Sequence, residues 1–451
     1  MLSFTKGFAA NTKRASSQIA IAIALVSCAA LGVTALETPA YAAKKKKEKK
    51  RKVEYSKAFI KNYQQVEEMT REEEKDDAAI VAALPGLVAM IKTSDDRFAA
   101  GNLIYATGHS TKSRALQRQG VGLMLESGNV DQEKVGSYYL LAGQLAYQDK
   151  DWAVARNLIQ AAIDNGYTDN DPETIIAGTY AGQKDPVGGL AYLDKIVKQR
   201  IAADQPVPEA WLKRGVAIGY ENRLAAETGS FASNLVKYHP NATNWGDAIA
   251  IQRNLGSFDN NEILDLLRLA DRTNSMRSDR DYLEYVEVAD ARRLPGEVDR
   301  IVTAGIAAGY LDAGGVTVAE ARSMARAVIK SDLADLPAFE RDARKPSSTA
   351  KTAAAAGDAF FSYGKSAQAE ELYLIALAKD GVDTQRVLNR LGMAQIDLGK
   401  FADGKATLAK VEGPRKSIAD LWSIYADEKA AAAAAAAAAE AVEAPETAPA
   451  A

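Results

Sequence analysis

Cysteine and histidine are nearly absent from this sequence. The 451 residues include one Cys and two His, so a Cys/His zinc site, a disulfide framework or a Cys/His nucleophilic pair has almost nothing to be built from. Both histidines, His109 and His239, fall at predicted turns, and neither belongs to an HExxH pattern. No motif or spacing sets apart a pair of Asp or Glu residues as the catalytic carboxylates of a hydrolase either. We therefore predict no metal, no cofactor and no enzymatic activity.

An excess of one charge sign is also lacking over the whole chain. Lys and Arg number 56 against 59 Asp and Glu, giving a net charge of −3. The exception is Lys44–Lys52, which carries +7; residues 1–42 carry +2, so residues 53–451 carry −12. An acidic body argues against nucleic-acid binding. The basic tract indicates either a solvated leader or electrostatic contact with an anionic membrane surface.

The first 42 residues have the order of a secretory signal. Basic residues precede an apolar stretch from 19 to 36, and Pro39 then separates it from Ala40-Tyr41-Ala42, a small-x-small cleavage motif. We expect a signal peptide over residues 1–42, cleavage between Ala42 and Ala43, and a basic disordered leader over 43–52. The predicted location is the periplasm or cell envelope.

Two alternatives for this segment stay open. Cys28 follows a stretch similar to a bacterial lipobox, which would make the protein a lipoprotein, although residues 29–36 remain apolar where a polar tether is usual. The apolar run is also close to the length that spans a bilayer. If it were not cleaved, the basic tract would hold the repeats in the cytoplasm.

From residue 53 to about 429, apolar residues recur at helical spacing between short Gly, Pro, Asn and Asp breaks. In the clearest unit, small residues mark a close helix crossing and large ones fill the space between the helices. That unit consists of Tyr139, Ala142, Gly143, Ala146, Trp152, Ala155, Ile159 and Ala162. The pattern predicts an all-α fold of repeated helical hairpins.

The same register returns along the chain. Gly178 follows Gly143 by 35 residues, Gly215 follows by 37, and Gly357 and Gly392 are again 35 apart. The helix that contains Gly178 is expected to have Asp171 as its N-cap and Pro172 at its first position. The pattern resembles the tetratricopeptide repeat (TPR) family, which implies an α-solenoid, here of about nine hairpins. Three weaker units are expected near Trp245, Tyr282 and Val316–Ala325.

The predicted organisation is an N-terminal helical cap over residues 53–94, a TPR-like solenoid over 95–429 and an Ala-rich low-complexity tail over 430–451. Ile418–Lys429 reads as a capping helix, which ten following alanines could prolong. Gly364-Lys365-Ser366 matches the end of a permissive phosphate-loop pattern. Because helical spacing precedes it, we interpret it as an inter-helix turn with Ser366 as a cap.

The resemblance implies a non-catalytic scaffold that binds a protein or peptide partner along a concave groove. Aromatic and amide side chains suit such binding. The candidate partner-binding residues are Leu140, Gln144, Tyr147, Gln148, Leu212, Tyr220, Phe361, Asn389, Met393 and Ile396. The alternatives are a solenoid platform of an envelope glycan-handling enzyme and a membrane-anchored cytoplasmic scaffold. A pocket with perturbed ionisable groups would favour the enzyme.

Overall fold

The computed structural model describes residues 53–443, and over that range it contains helices and no strand. The predicted all-α hairpin solenoid is confirmed. The predicted signal peptide, the whole of the predicted leader and the end of the tail lie outside the described residues. Between residues 53 and 443, no helix is long and apolar enough to cross a membrane.

The first half of the described chain is a row of five helical hairpins. Their helices are α1 (Lys57–Arg71) and α2 (Asp77–Ala89), α3 (Ser94–Ser110) and α4 (Arg114–Glu126), α5 (Gln132–Gln148) and α6 (Trp152–Asp164), α7 (Pro172–Gly182) and α8 (Pro186–Ala202), and α9 (Glu209–Glu221) and α10 (Ala225–Tyr238). The buried apolar residues of this half form separate clusters along the row. We call α1–α10 the open half.

Gly143 shows why small residues recur in these hairpins. A Cβ atom built at Gly143 would lie 2.5 Å from Cγ1 of Ile159 on α6, and 3.3 Å from the carbonyl oxygen of Ala155. Ile159 itself is fully buried. The two helices of this hairpin can therefore pack this closely only because position 143 has no side chain.

The second half consists of four more hairpins and two long helices. These are α11 (Ala242–Leu255) and α12 (Asn260–Arg272), α13 (Asp279–Ala289) and α14 (Pro295–Ala307), α15 (Val316–Ala343), α16 (Ala350–Ser362) and α17 (Ser366–Leu377), α18 (Thr384–Asp397) and α19 (Phe401–Leu408), and α20 (Lys416–Glu443). The repeat expected at Val316–Ala325 is instead the start of one 28-residue helix.

This half closes on itself, so we call α11–α20 the closed half. Helix α12 packs against α18 and α20, which come more than 100 residues later in the chain. The Trp245 indole N–H donates to Glu428 at 2.9 Å, and the ring meets Tyr425 edge-on at 6.3 Å. One continuous apolar core runs from α10 to α20. The sequence predicted an extended row and did not predict this closure.

Helix α20 is longer than the predicted cap. Its first part supplies Leu421 and Trp422 to the core, both fully buried. It then continues through the alanine run to Glu443, and residues 431–439 are exposed. The region predicted as a low-complexity tail therefore begins as helix, as expected of the residue with the highest helix propensity.

Two predicted helix caps are wrong in detail. Asp171 precedes α7, with Pro172 at its first position as expected, but the Asp171 backbone is left-handed (φ 47°) and its side chain caps nothing. Ser366 is the first residue of α17, and its hydroxyl donates to Asp397 at 3.5 Å instead of capping the helix.

Candidate functional site

The predicted partner-binding residues of the open half occupy the first helices of their hairpins. Gln144 and Tyr147 on α5 are half-buried, while Gln148 on α5 and Tyr220 on α9 are exposed. These four side chains are accessible to a partner. Leu140 and Leu212 are 2% and 0% exposed, so they belong to the apolar packing and do not face a groove.

The predicted partner-binding residues of the closed half are buried. Phe361 is 7% exposed, Ile396 4%, and Asn389 and Met393 0%. The expectation that Asn389, Met393 and Ile396 line an open groove is wrong, because α12 and α20 pack against the α18 surface that a linear solenoid would leave free. Phe361 lies on α16, where its ring packs against the Arg268 guanidinium. The Asn389 amide donates to Asp265 on α12 at 3.0 Å.

Tyr147 lies at the junction between two hairpins of the open half. Its ring meets Trp152 edge-on at 5.0 Å, and its hydroxyl oxygen would lie 3.5 Å from a Cβ at Gly178 on α7. Trp152 in turn packs against Gly182, where a Cβ would lie 2.5 Å from the ring. Gly178 and Gly182 thus leave room on α7 for aromatic side chains of the preceding hairpin.

The closed half is held by a buried carboxylate at Asp265, which is 0% exposed. One of its oxygens accepts from Arg390 at 3.2 Å and Arg268 at 3.3 Å, and the other accepts from Arg415 at 3.1 Å and Asn389. We call this the Asp265 hub. Because its donors come from α12, α18 and the turn before α20, the hub joins the two ends of the closed half.

A cleft opens beside this network. Its volume is about 290 Å³. We call it the arginine cleft; its lining includes Arg268, Arg272, Tyr285, Gly296, Glu297, Arg300 and the residues 361–364. Phe361 forms part of the wall, with the Arg268 guanidinium 5.1 Å from its ring centre. The Tyr363 hydroxyl donates to Asp332 on α15 at 2.6 Å.

Glu297 in this cleft is fixed in its ionised form. Arg268 donates to both of its carboxylate oxygens at 2.8 Å, and the Tyr285 hydroxyl donates at 2.7 Å. Burial opposes ionisation, but the adjacent Arg268 charge and these hydrogen bonds outweigh it and lower the pKa of Glu297 to about 2. Burial beside Glu297 raises the pKa of Tyr285 well above its usual value.

These shifts bear on the enzyme alternative. The cleft does contain perturbed ionisable groups, which we named as the sign of an enzyme. General acid–base catalysis works best with a pKa near the operating pH, and the shifts of Glu297 and Tyr285 move both groups away from neutrality. Buried structural ion pairs perturb pKa values in the same way. The arrangement is therefore suited to fixed-charge binding.

The predicted inter-helix turn is present at Gly364 and Lys365, although Ser366 does not cap α17. Gly364 adopts a left-handed backbone with φ 70°. The backbone N–H of Gly364 donates to Phe361 and that of Lys365 to Phe360, so these groups are occupied and do not point at a phosphate. Over residues 53–443, no group of three or more His, Cys, Asp or Glu side chains is placed to hold a metal ion.

The sequence contained a signal for the hub that we did not interpret. Asp265 and Arg268 stand three residues apart within Leu264–Leu269, and the four remaining residues of that range are all leucine. Charged residues are almost never fully buried unless they are paired. An opposite-charge pair at helical spacing in so apolar a run therefore indicates buried polar contacts.

The protein was compared with family models, curated proteins and solved structures. No family model and no curated protein matches the sequence. Among solved structures, the TPR domain of P58(IPK) is 10% identical with a TM-score of 0.23, over 84% of this chain and 99% of that one. The Naa15/Naa10 structure bound to HypK-THB is 11% identical with a TM-score of 0.21, over 84% of this chain and 73% of that one. Both scores are low, so the repeat assignment depends on this chain's own helix crossings.

Proposed function

We propose that this protein is a non-catalytic scaffold that binds a protein or peptide partner through the first-helix residues of its open half. The observation that carries this proposal is the contrast between the halves. Gln144 and Met393 each follow a crossing glycine of their repeat, yet Gln144 is accessible and Met393 is 0% exposed. The main partner surface is therefore assigned to α5 and α9 of the open half.

The accessible residues have suitable chemistry for this role. Tyr147 offers ring area at low entropic cost, and the neighbouring Gln144 and Gln148 amides can pair with a peptide backbone. Tyr220 extends the same kind of surface to α9, where it is 38% exposed. These four residues form the proposed partner surface.

Photocrosslinking in the native host tests this proposal. A photoreactive amino acid is placed at Gln148, and the matched control is placed at Lys198, an exposed position on the second helix α8. We expect a discrete crosslinked partner from Gln148 and none from Lys198, with loss of the adduct on adding Tyr147→Ala. Identical adducts from both positions, unaffected by Tyr147→Ala, would refute the partner surface.

We further propose that the scaffold works in the periplasm or cell envelope. The proposal is supported by the order of a basic segment, an apolar run and the motif ending at Ala42. Cell fractionation and the intact mass of the native protein test it. A soluble envelope protein starting at Ala43 is expected. A lipid-modified Cys28 would place it on a membrane face, and a retained Met1 with cytoplasmic repeats would refute export.

A further inference from the structure

The arginine cleft brings three guanidinium groups together on a chain that is acidic overall. Three guanidiniums line it, those of Arg268, Arg272 and Arg300, against the single carboxylate of Glu297. Residues 53–451 carry −12 overall. The Glu297 oxygens already accept three hydrogen bonds, two from Arg268 and one from Tyr285. Arg272 and Arg300 are paired with Asp397 and Asp271, so the cleft can offer an incoming anion only those guanidinium N–H donors that these pairs leave unused.

Arg300 has donors to spare. Its Nη1 donates to Asp271 at 2.7 Å, and among the described residues its Nε and Nη2 have no hydrogen-bond partner. The side chain is 45% exposed, so an incoming group can reach it. Arg272 is bound to Asp397 through Nε and Nη2, while its Nη1 is 3.4 Å from the same Asp271 oxygen. Two cations thus share one acceptor at the rim of the cleft.

The opposite wall depends on a glycine. Gly296 lies at the start of α14, and a Cβ atom there would be 2.4 Å from the Tyr363 ring. The ring therefore packs directly on backbone at a helix N-terminus. The partial positive charge of that helix end adds to the field of the arginines.

We propose that the arginine cleft binds an oxyanion through the two unpaired donors of Arg300, Nε and Nη2. The oxyanion is the carboxylate of an acidic side chain on the scaffold's partner, a step that rests on the proposed function; a free phosphate ion has the same chemistry. A planar guanidinium donates to an oxyanion through two parallel N–H groups, and a volume of about 290 Å³ admits either group.

Fluorescence anisotropy of the mature chain tests the proposal with two labelled peptides of equal length, one rich in Glu and one with Gln in its place. The Glu peptide is expected to bind more tightly, and less so at high salt because exposed charges are screened. Arg300→Gln should weaken it roughly tenfold, the effect of losing a charge-assisted hydrogen bond. Arg300→Lys should lose less, since the charge remains.

Arg326→Gln is the matched control, because Arg326 is likewise an exposed arginine paired with one aspartate, Asp299, outside the cleft. It should bind as the unmodified protein does. Circular dichroism of each variant separates loss of binding from loss of fold. Equal weakening by Arg300→Gln and Arg326→Gln, or no weakening by either, would overturn the cleft assignment.

Inorganic phosphate separates the two sources of the oxyanion. Phosphate should compete with the Glu peptide when the cleft holds either group. Competition for the cleft without any preference for Glu over Gln would overturn the partner carboxylate and assign the site to a free ion. None of these outcomes touches the open half, so a failure here leaves the crosslinking result at Gln148 to decide the proposed function separately.

Discussion

Replacing Asp265 with Asn is the perturbation that bears most directly on the closed half. The substitution keeps the shape but removes the charge that Arg268, Arg390 and Arg415 share. Breaking a buried ion pair from one side costs about 3–5 kcal/mol. In the variant Arg268 still pairs with Glu297, and Arg390 still pairs with Asp358 at 2.6 Å. We therefore expect the free energy of unfolding to fall by an amount near the lower end of that range, about 3 kcal/mol.

For a unit of about 200 residues this corresponds to a fall in thermal midpoint of roughly 6–12 °C. The assay is scanning calorimetry combined with tryptophan fluorescence, since Trp245 and Trp422 are both about 1% exposed in the closed core. Asp299→Asn is the control, because Asp299 pairs with Arg326 at the surface of the same half, and such pairs contribute about 0–1 kcal/mol. A midpoint for Asp265→Asn no lower than that of Asp299→Asn would refute the assigned role of the hub.

Three further predictions follow from the packing. Gly143→Leu should destabilise the open half by at least about 1–3 kcal/mol, since its Cβ alone would meet Ile159 at 2.5 Å; an unchanged melting curve would contradict the crossing. The pKa of Glu297 is lowered from 4.5 to about 2. Its ionisation therefore adds on the order of 3 kcal/mol to the free energy of unfolding, which is present above pH 4.5 and is lost as the pH falls toward 2. The Glu297→Gln variant should not show this loss of stability when it is titrated with acid. Ending the chain at Lys429 should leave the thermal midpoint of the closed half unchanged, because residues 431–439 are exposed; a clear drop would show that the alanine helix packs on something.

The helices of this protein could be predicted from the sequence because their signals are local. The Gly143 and Gly392 crossings, the turn at Gly364 and the start of α7 at Pro172 each depend on residues close in the chain. Periodicity and steric size decide such features. About nine hairpins were predicted over residues 95–429 and eight are observed there, because the unit expected at Val316–Ala325 is part of one long helix.

The closure could not be predicted in the same way, because it depends on contacts between distant residues. Trp245 and Glu428 are 183 positions apart, and Asp265 and Arg415 are 150 apart. No periodic pattern records such a pairing. Asn389 and Met393 carry the register of exposed groove residues, and only the packing of α12 against α18 buries them. The arginine cleft was missed for the same reason, since Arg272 and Tyr363 line it together although they are 91 positions apart in the chain.

Thiol labelling at two equivalent repeat positions tests the central claim, an open first half and a closed second half, most directly. A recombinant chain that begins at Ala43, the predicted start of the mature protein, has no cysteine, and in it Gln144→Cys and Met393→Cys each introduce a single thiol one residue after a crossing glycine. We expect position 144 to react roughly 100-fold faster or more, because a buried thiol must wait for an opening that costs several kcal/mol. Equal labelling rates at 144 and 393, in variants that circular dichroism shows to be folded, would contradict it.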